Sequence, residues 1–109
     1  MNVQVTAHID GYPDEIKELY RKLRQLIFDS TLSEPEEKLW AKLPSYCLEE
    51  KFVRLIPFKD HINIEASALK KHADELIGYK ITPKGMLQIY LRQDIPSDLL
   101  IQIFKETFE

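Results

Sequence analysis

Phe52-Val53-Arg54-Leu55-Ile56-Pro57-Phe58 is followed by Lys59-Asp60 and then by His61-Ile62-Asn63-Ile64-Glu65-Ala66. The first run is rich in β-branched and aromatic residues. The last alternates polar with apolar, the pattern of a half-buried strand. Lys59-Asp60 leaves room only for a tight turn, so the two runs predict an antiparallel hairpin. Successive side chains of a strand point to opposite faces. Ile62 and Ile64 are therefore expected to face a core, while His61, Asn63 and Glu65 share the other face.

Working outward, Met86 to Arg92 alternates again, with Leu87, Ile89 and Leu91 on one side. Tyr79 to Thr82 can be extended, and Pro83-Lys84-Gly85 reads as a turn in which glycine supplies a positive φ. Helical spacing dominates elsewhere. From Pro13 to Ser30, Ile16, Leu19, Tyr20, Leu23, Leu26 and Ile27 recur at three- and four-residue steps, one face of a helix. Ser33-Glu34-Pro35-Glu36 has the spacing of a capping box and predicts a short helix that carries Leu39, Trp40 and Leu43 inward and stops near Pro44. A short strand, Ser45 to Leu48, would follow. Leu69, His72, Ala73, Leu76 and Ile77 predict a third helix ending at Gly78. Pro96 starts a last one, with Leu99, Leu100, Ile103, Phe104 and Phe108 as its buried stripe. The N-terminal segment around His8 is expected to be disordered. Strands clustered as hairpins, rather than alternating strictly with helices, predict an α+β fold: an antiparallel sheet with helices packed on one face, residues 1–109 forming a single domain. The other face would show Arg54, His61, Asn63, Glu65, Gln88, Tyr90 and Arg92.

The chain has 109 residues, and 15 Lys and Arg against 18 Asp and Glu give a net charge of −3. That balance argues against non-specific nucleic-acid binding, which needs a basic footprint. No apolar run approaches the roughly 20 residues of a membrane span, and the start has no signal-peptide pattern. A cytoplasmic protein is expected. The single cysteine, Cys47, supports neither a disulfide framework nor a Cys-rich zinc site.

No catalytic signature stands out, and no enzyme is expected. Cys47 has no histidine beside it in sequence to lower its pKa. Along one strand His61 and Glu65 are about 13 Å apart, too far to share a metal without a bend. His72 falls on the apolar side of its helix, where a structural histidine is the simpler reading. Asp29, Glu34, Glu36 and Glu37 fall within nine residues that hold no base. Hard carboxylate ligands of this kind suit iron, magnesium, manganese or calcium. A solvated surface with helix capping is the simpler reading of them. Trp40 is an anchor for a core or cleft, and Tyr46, His61, Lys84 and Tyr90 are candidates to converge on a shallow binding pocket.

Several pieces in order resemble the bacterial YdhG-like family of small domains: Ile9-Asp10-x-Tyr12, Leu19, Leu23-Arg24-x-x-Ile27, Glu37-x-x-Trp40-x-x-x-Pro44-x-Tyr46, Lys59-x-His61-Ile62, Gly78-Tyr79, Lys84-Gly85, Ile89-x-Leu91 and Ile95-Pro96-x-x-Leu99. Most of that family is of unknown function. One branch is described as a frataxin-like intracellular iron chaperone. The resemblance implies a metal-binding role with iron as weakly bound cargo, no resident cofactor, and iron–sulfur or haem assembly proteins as partners. The alternative is a non-enzymatic module that binds a protein or small molecule on the open sheet face.

Overall fold

A computed structural model describes residues 1–109. Six strands form one antiparallel sheet: β1 (Glu36–Trp40), β2 (Leu43–Leu48), β3 (Lys51–Pro57), β4 (His61–Ala66), β5 (Lys80–Ile81) and β6 (Leu87–Tyr90). Their order across the sheet is β1-β2-β3-β4-β6-β5. Three α-helices, α1 (Val3–Ile9), α2 (Asp14–Asp29) and α3 (Ser97–Phe108), accompany it, with a 3-10 segment over Ser67–Glu75. The α+β class with an antiparallel sheet is thus as the sequence predicts.

The decisive hairpin forms with Leu55 opposite Ile64 and Pro57 opposite Ile62. The Phe58 N–H donates to the His61 carbonyl at 2.8 Å and closes the turn. Val53, Leu55, Ile62, Ile64, Leu87 and Ile89 are all fully buried. They meet the apolar stripes of α2 (Ile16, Leu19, Tyr20, Leu23, Ile27) and α3 (Leu100, Ile103, Phe104) in one core cluster. Each large side chain withdrawn from water in this way contributes about 1.5–3 kcal/mol. In the β5–β6 hairpin, Gly85 adopts φ +86° directly after the turn, and its N–H donates to Thr82. The left-handed residue lets a three-residue loop join the strands.

Three expectations are corrected. Glu36 to Trp40 is a strand, not a short helix, paired residue by residue with β2. The strand turns Glu37 to the helical side, where its carboxylate meets Arg24. The connecting turn has Ala41 at φ +49° and Lys42 at φ +67°. Pro44 is accommodated because β2 begins to pair with β3 only at Ser45, one residue later. The N-terminal segment is helical rather than disordered: the Asn2 side chain caps it through the N–H groups of Gln4 (2.8 Å) and Val5 (3.1 Å), and Val5 and Ile9 are buried. The segment carrying Leu69 and His72 is a 3-10 helix. It buries Ala68, Leu69 and His72, leaving Ala73 and Ile77 exposed.

Candidate functional site

With all three helices on one side, the opposite face of the sheet is left to its own side chains. On β3, Phe52, Arg54 and Ile56 alternate onto it. Arg54 lies directly between Ser45 of β2 and Glu65 of β4. Its Nε donates to Ser45 Oγ at 3.1 Å and its Nη1 to Glu65 Oε1 at 3.1 Å. The guanidinium also sits 3.8 Å from the Phe52 ring centroid and 4.2 Å from that of Trp40. Phe52 is two residues back on the same strand, while Trp40 arrives from β1. A planar, weakly hydrated guanidinium suits this double stacking. The result leaves Arg54 12% exposed and Trp40 53% exposed.

A second group of rings stands further along the face. His61 and Tyr90 are cross-strand partners on β4 and β6, stacked with centroids 4.6 Å apart. Phe58 stacks on His61, also at 4.6 Å and only 7° from parallel. Polar contacts fix the imidazole in place: Nδ1 is 2.7 Å from the Asp60 carboxylate, and the Gln88 amide lies 3.4 Å from Nε2. The Tyr90 hydroxyl donates to Gln88 Oε1 at 3.3 Å. The row Ile56–Asn63–Gln88 runs between the two groups. Rigid aromatic plates with polar edges, held on a sheet, can receive flat or apolar groups and orient them by hydrogen bonds.

The predicted binding residues divide by face. His61 and Tyr90 come together as expected, whereas Lys84 stands in the β5–β6 turn at the other end of β6, where it lines a cleft with Phe58 and Asn63. Trp40 shares the face but stacks on Arg54 instead of facing inward. Tyr46 does not belong to the group. It pairs with Val53 on the core side, is fully buried, and its hydroxyl lies 2.6 Å from that of Tyr20. Burial pushes both phenols far above the ordinary tyrosine range, so both remain protonated.

The four acidic candidates do not converge, and no three His, Cys, Asp or Glu side chains gather where one ion could be held. Asp29 accepts from Gln25 at 2.8 Å at the end of α2. Glu34 is exposed in the loop before β1. Glu36 and Glu37, adjacent in a strand, point to opposite faces. Glu36 lies beside Lys38 in solvent, at 3.5 Å. Glu37 accepts from Arg24 Nε (2.6 Å) and Nη2 (3.2 Å) and from the Asn2 N–H (2.6 Å). Burial alone would raise its pKa, but the bonds from Arg24 and Asn2, with the Arg24 charge, hold it below the ordinary carboxylate range. Its role is to tie α1, α2 and β1 together.

His72, 9% exposed, is a structural histidine shared between the Glu75 and Glu106 carboxylates. Cys47 is a free, half-buried thiol. The sequence reading missed Phe52 and Phe58 as members of the face. The signal was present: both are an even number of residues from Arg54, so they share its side. Comparison of the chain with protein-family models, with curated proteins and with solved structures gives no match.

Proposed function

We propose that the chain is a non-enzymatic binding module whose helix-free sheet face receives a small-molecule ligand. The observation that carries this reading is the segregation of the two sheet faces. One is filled by helices, and the other holds both aromatic stacks, including Trp40 and Phe58, two of the chain's exposed large hydrophobic side chains. An apolar, ordered patch left open to water marks a recognition surface more often than an accident of folding. The charged and imidazole groups there are committed to partners, Arg54 to Ser45 and Glu65 and His61 to Asp60. They orient rather than react. The iron-carrying role implied by the family resemblance would draw on Asp29, Glu34, Glu36 and Glu37, whose carboxylates are dispersed; the geometry favours the sheet face.

Amide proton–nitrogen NMR spectra recorded with a mixture of small aromatic and aliphatic fragments test the reading. Shift changes should cluster on β3, β4 and β6 around Arg54, His61 and Tyr90, and should disappear in a His61→Ala/Tyr90→Ala variant. Changes confined to α2 and α3, or none with any fragment, would overturn it.

A further inference from the structure

Resting on the sheet-face reading, we infer that a cleft beside Phe58 binds a small aromatic acid bearing a ring N–H or O–H, with Asn63 as its hydrogen-bond acceptor and Lys84 as its counter-charge.

The cleft, about 420 Å³, opens between the end of the β3–β4 hairpin and the β5–β6 turn. Ile56, Phe58, Pro83 and Met86 provide its apolar walls, and Asn63, Thr82 and Lys84 its polar groups, the Thr82 hydroxyl already accepting from the Met86 N–H. Volumes of about 300–1,000 Å³ with few polar groups are typical of small-molecule sites. Phe58 is 42% exposed even though His61 stacks upon it.

Asn63 is the informative residue. It is 8% exposed, yet its Oδ1 has no hydrogen-bond partner. Its Nδ2 reaches only the Met86 sulfur, at 4.0 Å, a weak acceptor. Exchanging the two amide atoms leaves a donor unpaired instead, so neither orientation satisfies the side chain. Buried polar groups are almost always paired, and leaving one unpaired is costly. An apolar residue at this position would fill the space without that cost. Oδ1 is itself closed to water, so the flexible Met86 side chain against the amide swings aside as a ligand enters past Phe58, and the ligand's donor supplies the missing bond.

The charge comes from the far side of Lys84, which also borders an adjoining cleft of about 370 Å³ with Lys51 and Lys70. None of these three lysines is ion-paired. Of the two carboxylates lining that cleft, Glu65 is engaged by Arg54 and Glu50 alone is free. In a chain of net charge −3 this is a locally positive corner. It complements an acid projecting past Lys84 from a ring seated beside Phe58.

Calorimetric titration of the full chain tests this with three probes of similar size. Indoleacetate carries ring, N–H and acid; naphthaleneacetate lacks the N–H; tryptophol lacks the acid. Saturable indoleacetate binding is expected, with each of the other two about tenfold weaker, the loss for one missing interaction. Lys84→Glu, in an exposed turn, should weaken indoleacetate far more than tryptophol, which carries no acid for Lys84 to pair. Because two probes alter only the ligand, the result does not depend on an Asn63→Leu variant folding. Equal affinity for all three probes, or no saturable binding by indoleacetate, would overturn the assignment. If neutral fragments still shifted the face amides in that case, the sheet-face reading would survive while the aromatic-acid assignment failed.

Discussion

Replacing Glu37 by Gln tests whether this carboxylate is a structural tie or a spare metal ligand. The Glu37 side chain is 8% exposed and Arg24 25% exposed. In the Glu37→Gln variant one carboxylate oxygen becomes an N–H₂ that faces the guanidinium and the Asn2 N–H. Hydrogen bonds to charged groups are worth about 1.5–3 kcal/mol net. Stripping a partner from a fully buried ion pair costs about 3–5 kcal/mol. Arg24 retains some access to water, so the lower range applies and about 2–3 kcal/mol of stability should be lost. For a domain of this size that corresponds to a fall in Tm of roughly 10 °C. Thermal unfolding followed by circular dichroism at neutral pH reads it directly. In an Arg24→Met background the same replacement should cost far less, because the two side chains act as a pair. The folded protein holds Glu37 below its ordinary pKa. Its contribution is therefore complete above the ordinary glutamate range and lost as pH falls through the lowered value, so wild type and variant should converge on acidification. A Tm within about 2 °C of wild type, or full additivity with Arg24→Met, would refute the structural role.

Further outcomes are expected from the same geometry. Arg54→Ala removes two ring contacts and an ion pair and should cost about 1–2 kcal/mol, with faster acrylamide quenching of Trp40; Arg54→Lys, lacking the planar stack, should recover less than half. Ala41→Asn with Lys42→Gly relieves two left-handed positions and should stabilise by about 1 kcal/mol in urea unfolding; destabilisation would contradict the observed turn. The bonds from Glu106 and Glu75 raise the His72 pKa, and those from His72, Gln102 and Lys71 lower that of Glu106 to about 2. The His72 contribution is present below the ordinary histidine range and lost as pH rises through its raised value. The Glu106 contribution is present above the ordinary glutamate range and lost toward pH 2. A Tm–pH profile should show both slopes, and His72→Gln should remove the alkaline one. Ferrous titration should give weak, non-saturating heats unchanged by neutralising Asp29, Glu34 and Glu36; a saturable isotherm abolished by those changes would restore the iron-carrier expectation.

The β3–β4 hairpin, α2 and α3 were legible because each carries its own period and is bounded by its own turn or proline. From the hairpin's alternation the shared side of His61, Asn63 and Glu65 followed. The β1–β2 hairpin was not legible. Its turn uses Ala41 and Lys42 in left-handed conformations without the Asn-Gly signature, and Ser33 to Glu36 mimics a helix start. What decides for the strand, the Glu37–Arg24 pair, joins residues 13 apart in sequence. Tyr46, a candidate for the binding pocket, lies on the core side; Pro44-Ser45-Tyr46-Cys47-Leu48 has no polar alternation to define a face, and only pairing with Val53 does so. The helix α1 has seven residues, too few to be stable alone, and depends on burying Val5 and Ile9 and on Asn2 meeting Glu37.

A crystal structure of the chain grown with indoleacetate bears most directly on the sheet face as the working surface. The ring should lie against Phe58 and Met86, its N–H on the Asn63 amide oxygen and its carboxylate toward Lys84. A ring seated instead among the helices, or an empty cleft at saturating ligand, would contradict that placement.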